Sequence, residues 1–456
     1  MVKILTDIKN TDAYYNKMTK TPVWKLIVAL GIPTTISMLV TSIYNLADTY
    51  FVGTLGESQQ AATGVLFTLQ AIIQAVSFML GQGGGTMVSK ALADKNKKEA
   101  SEYASTSFFV GLILGFVLMI VGFLIFEPML IALGSTDTIL PYAKEYGFFV
   151  LLSCPFVVCS FVLNNNLRYE GKSFYAMIGL VSGGIINIFG DFMLIRVVKW
   201  GVVGAGLSTA VSQTISFFIL FYFQKKTAQS DIKISCISKN IRTLGTICRV
   251  GIPALIRQGL TSISNGLLNN LTKPFGDAAI AAMSVVGRYS MLIMCVGLGI
   301  GQGFQPVASF NYQAKKYQRV KQGLLFTMFT GIALVTLLAL PGIIIPGKII
   351  YLFQKSKDVI KVGTTALRLS GFGILFLPLS IPVNMLYQSI RKAGVSSFLS
   401  MLRSGLLLIP SLLITTHFFG LYGVMISQPI ADVIAGLVSV IFVLYFINTL
   451  PKDQTE

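Results

Sequence analysis

The chain has 456 residues, 54% of them hydrophobic and only 12% charged, with a mean hydropathy of +0.73. A water-soluble fold of this length carries about twice that share of charge, which excludes a soluble globular protein. The net charge of +18 has no aromatic–basic interleaving or zinc-knuckle spacing beside it, so nucleic acid is not the expected partner. One histidine, His417, and five scattered cysteines with no C-x-x-C leave no expected metal site and no disulfide framework.

The polar, lysine-bearing stretch Met1–Lys20 opens the chain. The apolar run after it has no small-residue cleavage pattern and reads as a retained helix. Apolar runs of bilayer-spanning length, roughly 20 residues, recur twelve times. In the first half they are predicted near Leu26–Thr49, Gln60–Gly85, Ala104–Phe126, Pro141–Leu163, Phe174–Ile195 and Val202–Phe223. In the second they fall near Thr246–Asn270, Ala278–Phe304, Gly323–Ile345, Val362–Tyr387, Ser396–Phe418 and Gly423–Phe446. With twelve crossings, the side bearing the termini holds 24 Lys and Arg, including Lys3, Lys9, Lys90, Arg168, Lys225, Lys315, Arg391 and Lys452; the opposite side holds 8. That bias places both termini in the cytoplasm of a cell membrane.

The chain repeats itself at a shift of 220 residues. Gly31-Ile32-Pro33 lands on Gly251-Ile252-Pro253, Thr41-Ser42-Ile43 on Thr261-Ser262-Ile263, and Gly81-Gln82-Gly83 on Gly301-Gln302-Gly303. At 223, Pro155, Arg168, Gly171 and Ser173 land on Pro378, Arg391, Gly394 and Ser396; at 219, Gly201 lands on Gly420. The expected fold is all-α, with twelve transmembrane helices in two pseudo-symmetric six-helix lobes around a central cleft. The lobes would be 1–223 and 244–456, with 224–243 as a basic cytoplasmic linker. The glycine-rich stretches near Gly81–Gly85 and Gly297–Gly303 lack the lysine–hydroxyl pair of a phosphate loop and read as close helix packing.

Gly31-Ile32-Pro33, the segment from Tyr44-Asn45-Leu46-Ala47-Asp48 to Gly53, and Asn187-Ile188-Phe189-Gly190-Asp191 resemble the multidrug and toxic compound extrusion (MATE) family over nearly the whole chain. The closest likeness is to its bacterial DinF-like and MepA-like branch. The resemblance implies export of drugs or toxic metabolites driven by proton or sodium entry. It implies a cation site at Asp48, Tyr146, Asn187, Asp191 and Thr209, and a substrate cavity touching Asn164. The second lobe departs from the NorM-like branch, having no acidic residue within helices 7, 8 or 10.

Residue counting adds to this. Only Asp48, Asp191 and Asp432 lie well inside spans, where a carboxylate is costly and marks function by default. At 1.5 Å per residue, Asp48, Tyr146, Asp191 and Thr209 reach similar depths in the outer half from four helices. Asn187 shares the face of Asp191 one turn away. Such an oxygen-rich cluster suits a hard cation, or a proton, since burial favours a neutral carboxyl. The plain alternative is that each acid caps a helix or snorkels to water. In the second lobe Arg257, Arg288, Arg368 and Arg403 face only Asp432, and by depth Arg257 and Asp432 meet near mid-membrane. They form either a structural pair or a basic wall for an anionic substrate group; Thr41, Asn164 and Arg257 are the candidate cavity residues.

The expected activity is a proton-coupled, or else sodium-coupled, antiporter, acting as a monomer in the lipid membrane without a cofactor. Its expected substrates are amphiphilic cations or zwitterions. A flippase for lipid-linked precursors is the alternative. No G-x-S-x-G or H-E-x-x-H supports an intramembrane enzyme.

Overall fold

A computed structural model describes residues 11–451 and 453; Lys3, Lys9 and Lys452 lie outside the described residues. A short helix, α1 (Thr11–Lys20), precedes the long ones: α2 (Val23–Gly53), α3 (Glu57–Ala93), α4 (Lys97–Leu124), the short α5 (Phe126–Ala132), α6 (Leu140–Tyr169), α7 (Ser173–Asp191) and α8 (Gly201–Thr227). The second half repeats the order: α9 (Ile241–Thr272), α10 (Asp277–Gln313), α11 (Tyr317–Ile344), the short α12 (Pro346–Phe353), α13 (Lys357–Ile374), α14 (Leu377–Ser389), α15 (Ala393–Met401) and α16 (Leu408–Asn448). Wider π-helical turns follow α7 at Phe192–Val197 and α15 at Leu402–Leu407. Helices suit a bilayer because every backbone polar group is satisfied within the segment. Leu124, Phe218, Phe329 and Leu444 are more than half exposed, as lipid-facing side chains are.

Twelve spans cross. Among the described residues, nine helices pass on length and hydropathy, and α13 with α14 forms a tenth span bent by 45°. Gly420, at φ 56 and ψ −132, breaks the run Ala393–Asn448 into two spans. The twelfth is α9, 32 residues long, whose hydropathy is lowered by Arg257, Gln258, Asn265, Asn269 and Asn270.

By contacts the chain forms two compact units. One joins Ile36–Leu255 to the chain up to Lys20; the other joins Thr21–Thr35 to the chain from Ile256. In the first, α6 packs on α3, α4 and α8; in the second, α10 packs on α11, α13 and α14.

The repeat is written in the backbone. Positive φ values recur at a shift of 220 in Gly56 and Gly276 (150° and 86°), Lys95 and Lys315 (57° and 58°) and Gly171 and Arg391 (71° and 64°), and at 219 in Gly201 and Gly420 (59° and 56°). The third pair corrects the expected register, since Gly171 matches Arg391 and not Gly394. Hydrogen bonds agree: Asn164 donates to the Ala176 carbonyl at 3.1 Å and Asn384 to the Ser396 carbonyl at 2.8 Å. A three-residue slip is nearly one helical turn, so it preserves the apolar face and some residue identities.

The glycine-rich stretches are packing surfaces. Within the first unit a Cβ on Gly83 would collide with the Ile247 carbonyl, and one on Gly251 with the Met79 carbonyl. Within the second, the repeat-related Gly303 meets the backbone of Gly31. Gly251→Ala is expected to cost about 1–3 kcal/mol, the usual price of overpacking, read as a lower thermal midpoint in detergent. Gly245→Ala on the same helix, with open space around it, is expected to leave the midpoint unchanged or raise it.

Candidate functional site

The intramembrane carboxylates of the first unit lie close together, one of them within a hydrogen-bonded cluster and the other beside it. Asp48 sits near the end of α2, Tyr146 in the second turn of α6, Asn187 and Asp191 one turn apart on α7, and Thr209 on α8. The Tyr146 hydroxyl donates to Asp48 Oδ2 at 2.7 Å and shares a 3.1 Å hydrogen bond with Thr209 Oγ1. Asn187 Nδ2 donates to Thr209 Oγ1 at 3.2 Å and to Ser208 Oγ at 3.4 Å. Ser208 in turn donates to the Asn187 carbonyl at 3.0 Å. Gly190 lets α7 approach this far, because a Cβ there would meet Ser208 Oγ closely. The π-helical turn begins directly after Asp191, and such turns often accompany functional sites.

Four buried oxygens in the cluster have no hydrogen-bond partner of good geometry: Asp48 Oδ1, Asn187 Oδ1, and both oxygens of Asp191, beside which the Ser208 hydroxyl is turned to the Asn187 carbonyl. Asp191 is also within electrostatic reach of Asp48 and Tyr146. Unmatched buried acceptors cost free energy, and two negative charges in one buried site repel. A proton or a small cation relieves both penalties. The donor set is all oxygen, which suits a hard cation.

A cavity of about 40 Å³ adjoins the cluster, lined in part by Asp48, Tyr146, Asn187 and Thr209. It holds about one water-sized group, whereas pockets for drug-sized ligands run to roughly 300–1,000 Å³. Tyr44, Asn45, Gln70, Gln74 and Gln213 also line it, and Gln213 Nε2 donates to the Tyr44 hydroxyl at 3.4 Å. The sequence reading did not select these five for the site. Four of them carried a spacing signal: Tyr44 precedes Asp48 by four, Gln213 follows Thr209 by four, and Gln70 and Gln74 stand four apart in an apolar helix.

The other candidates sit elsewhere. Thr41 bonds to the Ser37 carbonyl of its own helix at 2.9 Å, and Asn164 ties α6 to α7; neither lines this cavity. In the second unit, Arg257 Nη1 donates to Asn384 Oδ1 at 3.0 Å, and Asn384 is held by the Ser396 carbonyl and Ser400 Oγ. Asp432 does not take Arg257 as its partner. It pairs with Arg403, which donates from Nε at 2.6 Å and sits within the π-helical turn. Depth counting missed this because it carries no information on which way a side chain faces.

A further buried carboxylate, Glu170, went unnoticed because it lies just past the end of α6. It accepts from the backbone N–H and hydroxyl of Ser230 and the backbone N–H of Gln229. Burial pushes its carboxyl up from the ordinary range, against the pull of those donors. The segment that follows is also tied to α4: Asp231 N donates to Ser101 Oγ at 2.9 Å, Lys233 N to Ser105 Oγ at 3.1 Å and Ser238 N to Thr106 Oγ1 at 3.0 Å.

Twelve apolar helices built as a repeated half, with a buried cavity beside paired carboxylates in one half, define a membrane transporter. The sequence profile of the MatE family matches residues 33–193 and 253–414, two stretches that begin in the register of the internal repeat. The chain belongs to the MATE family of transporters and is not an enzyme. It is 27% identical to the multidrug export protein MepA of Staphylococcus saprophyticus over 458 residues, covering 98% of this chain and 99% of that one. It is equally 27% identical to MepA of Staphylococcus aureus strain MSSA476, with the same coverage. Among solved structures, it matches an outward-facing multidrug resistance MATE family transporter of the MOP superfamily with a TM-score of 0.90. That match has 26% identity over 96% of this chain and 98% of the other. A MOP superfamily transporter from Pyrococcus furiosus matches with a TM-score of 0.89, at the same identity and coverage.

Proposed function

We propose that this transporter exports amphiphilic cations or zwitterions from a bacterial cell in exchange for an inward-moving cation, a proton in preference to sodium. The relatives named as multidrug export proteins support drug export, and the acidic cluster of the first unit favours cationic groups among the drugs. The coupling rests on one observation: the four unmatched buried oxygens around Asp48, Asn187 and Asp191. A proton needs only one of these oxygens, whereas a metal cation needs several converging at once. The hydroxyls of Tyr146 and Thr209 are already engaged with each other, which favours the proton. Cation binding on one side of the cycle and substrate binding on the other must disfavour one another for exchange to occur. The basic bias of the terminal side supports cytoplasmic termini, and the internal repeat supports lobes 1–223 and 244–456 with 224–243 between them.

The test is dye efflux by the protein in sealed vesicles. An imposed pH gradient at fixed sodium is expected to drive it. Efflux that follows a sodium gradient at fixed pH, and ignores the pH gradient, overturns the proton assignment.

Arg257 is proposed as an anchor for an anionic substrate group. Its guanidinium is oriented by Asn384, itself pinned by Ser396 and Ser400. Arg257→Ala is expected to weaken export of anionic or zwitterionic compounds severalfold more than export of simple lipophilic cations. Equal loss for both classes makes Arg257 a structural residue.

A further inference from the structure

Basic residues are sparse on the side away from the termini, and half of them fall in one segment of the second unit: Lys348, Lys355, Lys357 and Lys361. All four are exposed, and none forms an ion pair with a described residue. Asp358 is the one acid among them. The segment comprises α12 and its return into α13. Pro346, Ile349 and Ile350 of α12 are buried, while Tyr351 and Leu352 are 52% and 81% exposed. A shallow, almost wholly apolar groove runs along the helix between Ile345, Lys348, Ile349, Tyr351, Leu352 and Ile360.

The repeat does not require this charge. The corresponding elbow of the first unit, at α5, carries Glu127 and Asp137, and its nearby Lys144 is paired with Glu127 at 2.6 Å. The lysines of the second elbow also run against the usual distribution of basic residues about a membrane. Unpaired cations beside an exposed apolar helix face at the membrane boundary fit one two-part ligand, an anionic head group carrying an acyl chain.

We propose that the α12 elbow binds an anionic phospholipid of the leaflet away from the termini. Its phosphate sits among Lys348, Lys355, Lys357 and Lys361, and its acyl chain lies in the groove at Ile345, Ile349 and Leu352. The leaflet assignment rests on the twelve-span topology.

The full-length protein in vesicles of phosphatidylcholine and phosphatidylglycerol, released into the mass spectrometer with its bound lipid, gives the test. Wild type is expected to retain phosphatidylglycerol preferentially. Lys→Gln at all four positions is expected to lower that preference by up to about fivefold per lysine. Lys→Arg at the same positions is expected to retain it. An unchanged preference in the glutamine variant overturns the proposal. So does displacement of the bound lipid by soluble glycerol phosphate, which would mark a site for a free anion. With phosphatidylglycerol confined to one leaflet, retention is expected only from the leaflet away from the termini. Lysine-dependent retention from the other leaflet would instead refute the crossing topology, and with it the leaflet named here.

Discussion

Asp48→Asn and Asp191→Asn are each expected to reduce gradient-driven export to the level of protein-free vesicles while leaving the protein folded. An amide nearly matches the carboxylate in shape, so packing around α2 and α7 survives. Asn at position 48 still offers an oxygen to the Tyr146 hydroxyl, which now donates to Asp48 Oδ2. What is lost is the negative charge that gives the buried oxygens a reason to take up a cation. The thermal midpoint is expected to hold or rise, because an intramembrane charge is costly to keep. The double variant is expected to be no worse than either single one, since both acids serve one coupling event and their effects do not add. Export at wild-type rates by both single variants would remove the cluster from the mechanism.

The second large effect concerns the Arg403–Asp432 pair, in which Asp432 is buried and Arg403 mostly so. Arg403→Ala leaves a buried carboxylate without its partner and is expected to cost about 3–5 kcal/mol of stability. Replacing both partners, Arg403→Met with Asp432→Leu, is expected to restore most of that loss, since a well-packed apolar pair can equal a buried ion pair. Unfolding midpoints in detergent measure both. A single-variant loss below ~1 kcal/mol would be the behaviour of an exposed pair and would contradict the buried geometry.

Much of this architecture is legible in the sequence because the bilayer imposes a simple rule. Apolar run length identified all twelve spans, including α9, whose apolar run is diluted by arginine, glutamine and asparagine. The helices extend further than the runs predict, as α3 does to Ala93 and α10 to Gln313, because hydrogen bonding continues past the apolar face. The short α5 and α12 left no span-length signal. The repeat was readable where glycine and proline fix the backbone, but slipped by three residues around Gly171, where interchangeable apolar letters carry the alignment. Asp48 and Asp191 stood out because carboxylates are rare at that depth, and Asn187 through the family motif that holds it one turn from Asp191. Gln70, Gln74 and Gln213 did not, since a neutral amide is cheaper to bury. Neither the Arg403–Asp432 pairing nor the Glu170 contacts could be read from depth, because both depend on the side-chain direction set by packing.

The most direct test of cation-for-substrate exchange is proton release on substrate binding. Substrate added to the purified protein in a weakly buffered, sodium-free solution is expected to acidify the medium, and the Asp48→Asn/Asp191→Asn variant is expected to give no signal. Substrate binding by the wild type with no proton released, or with the same release from the variant, would contradict the account.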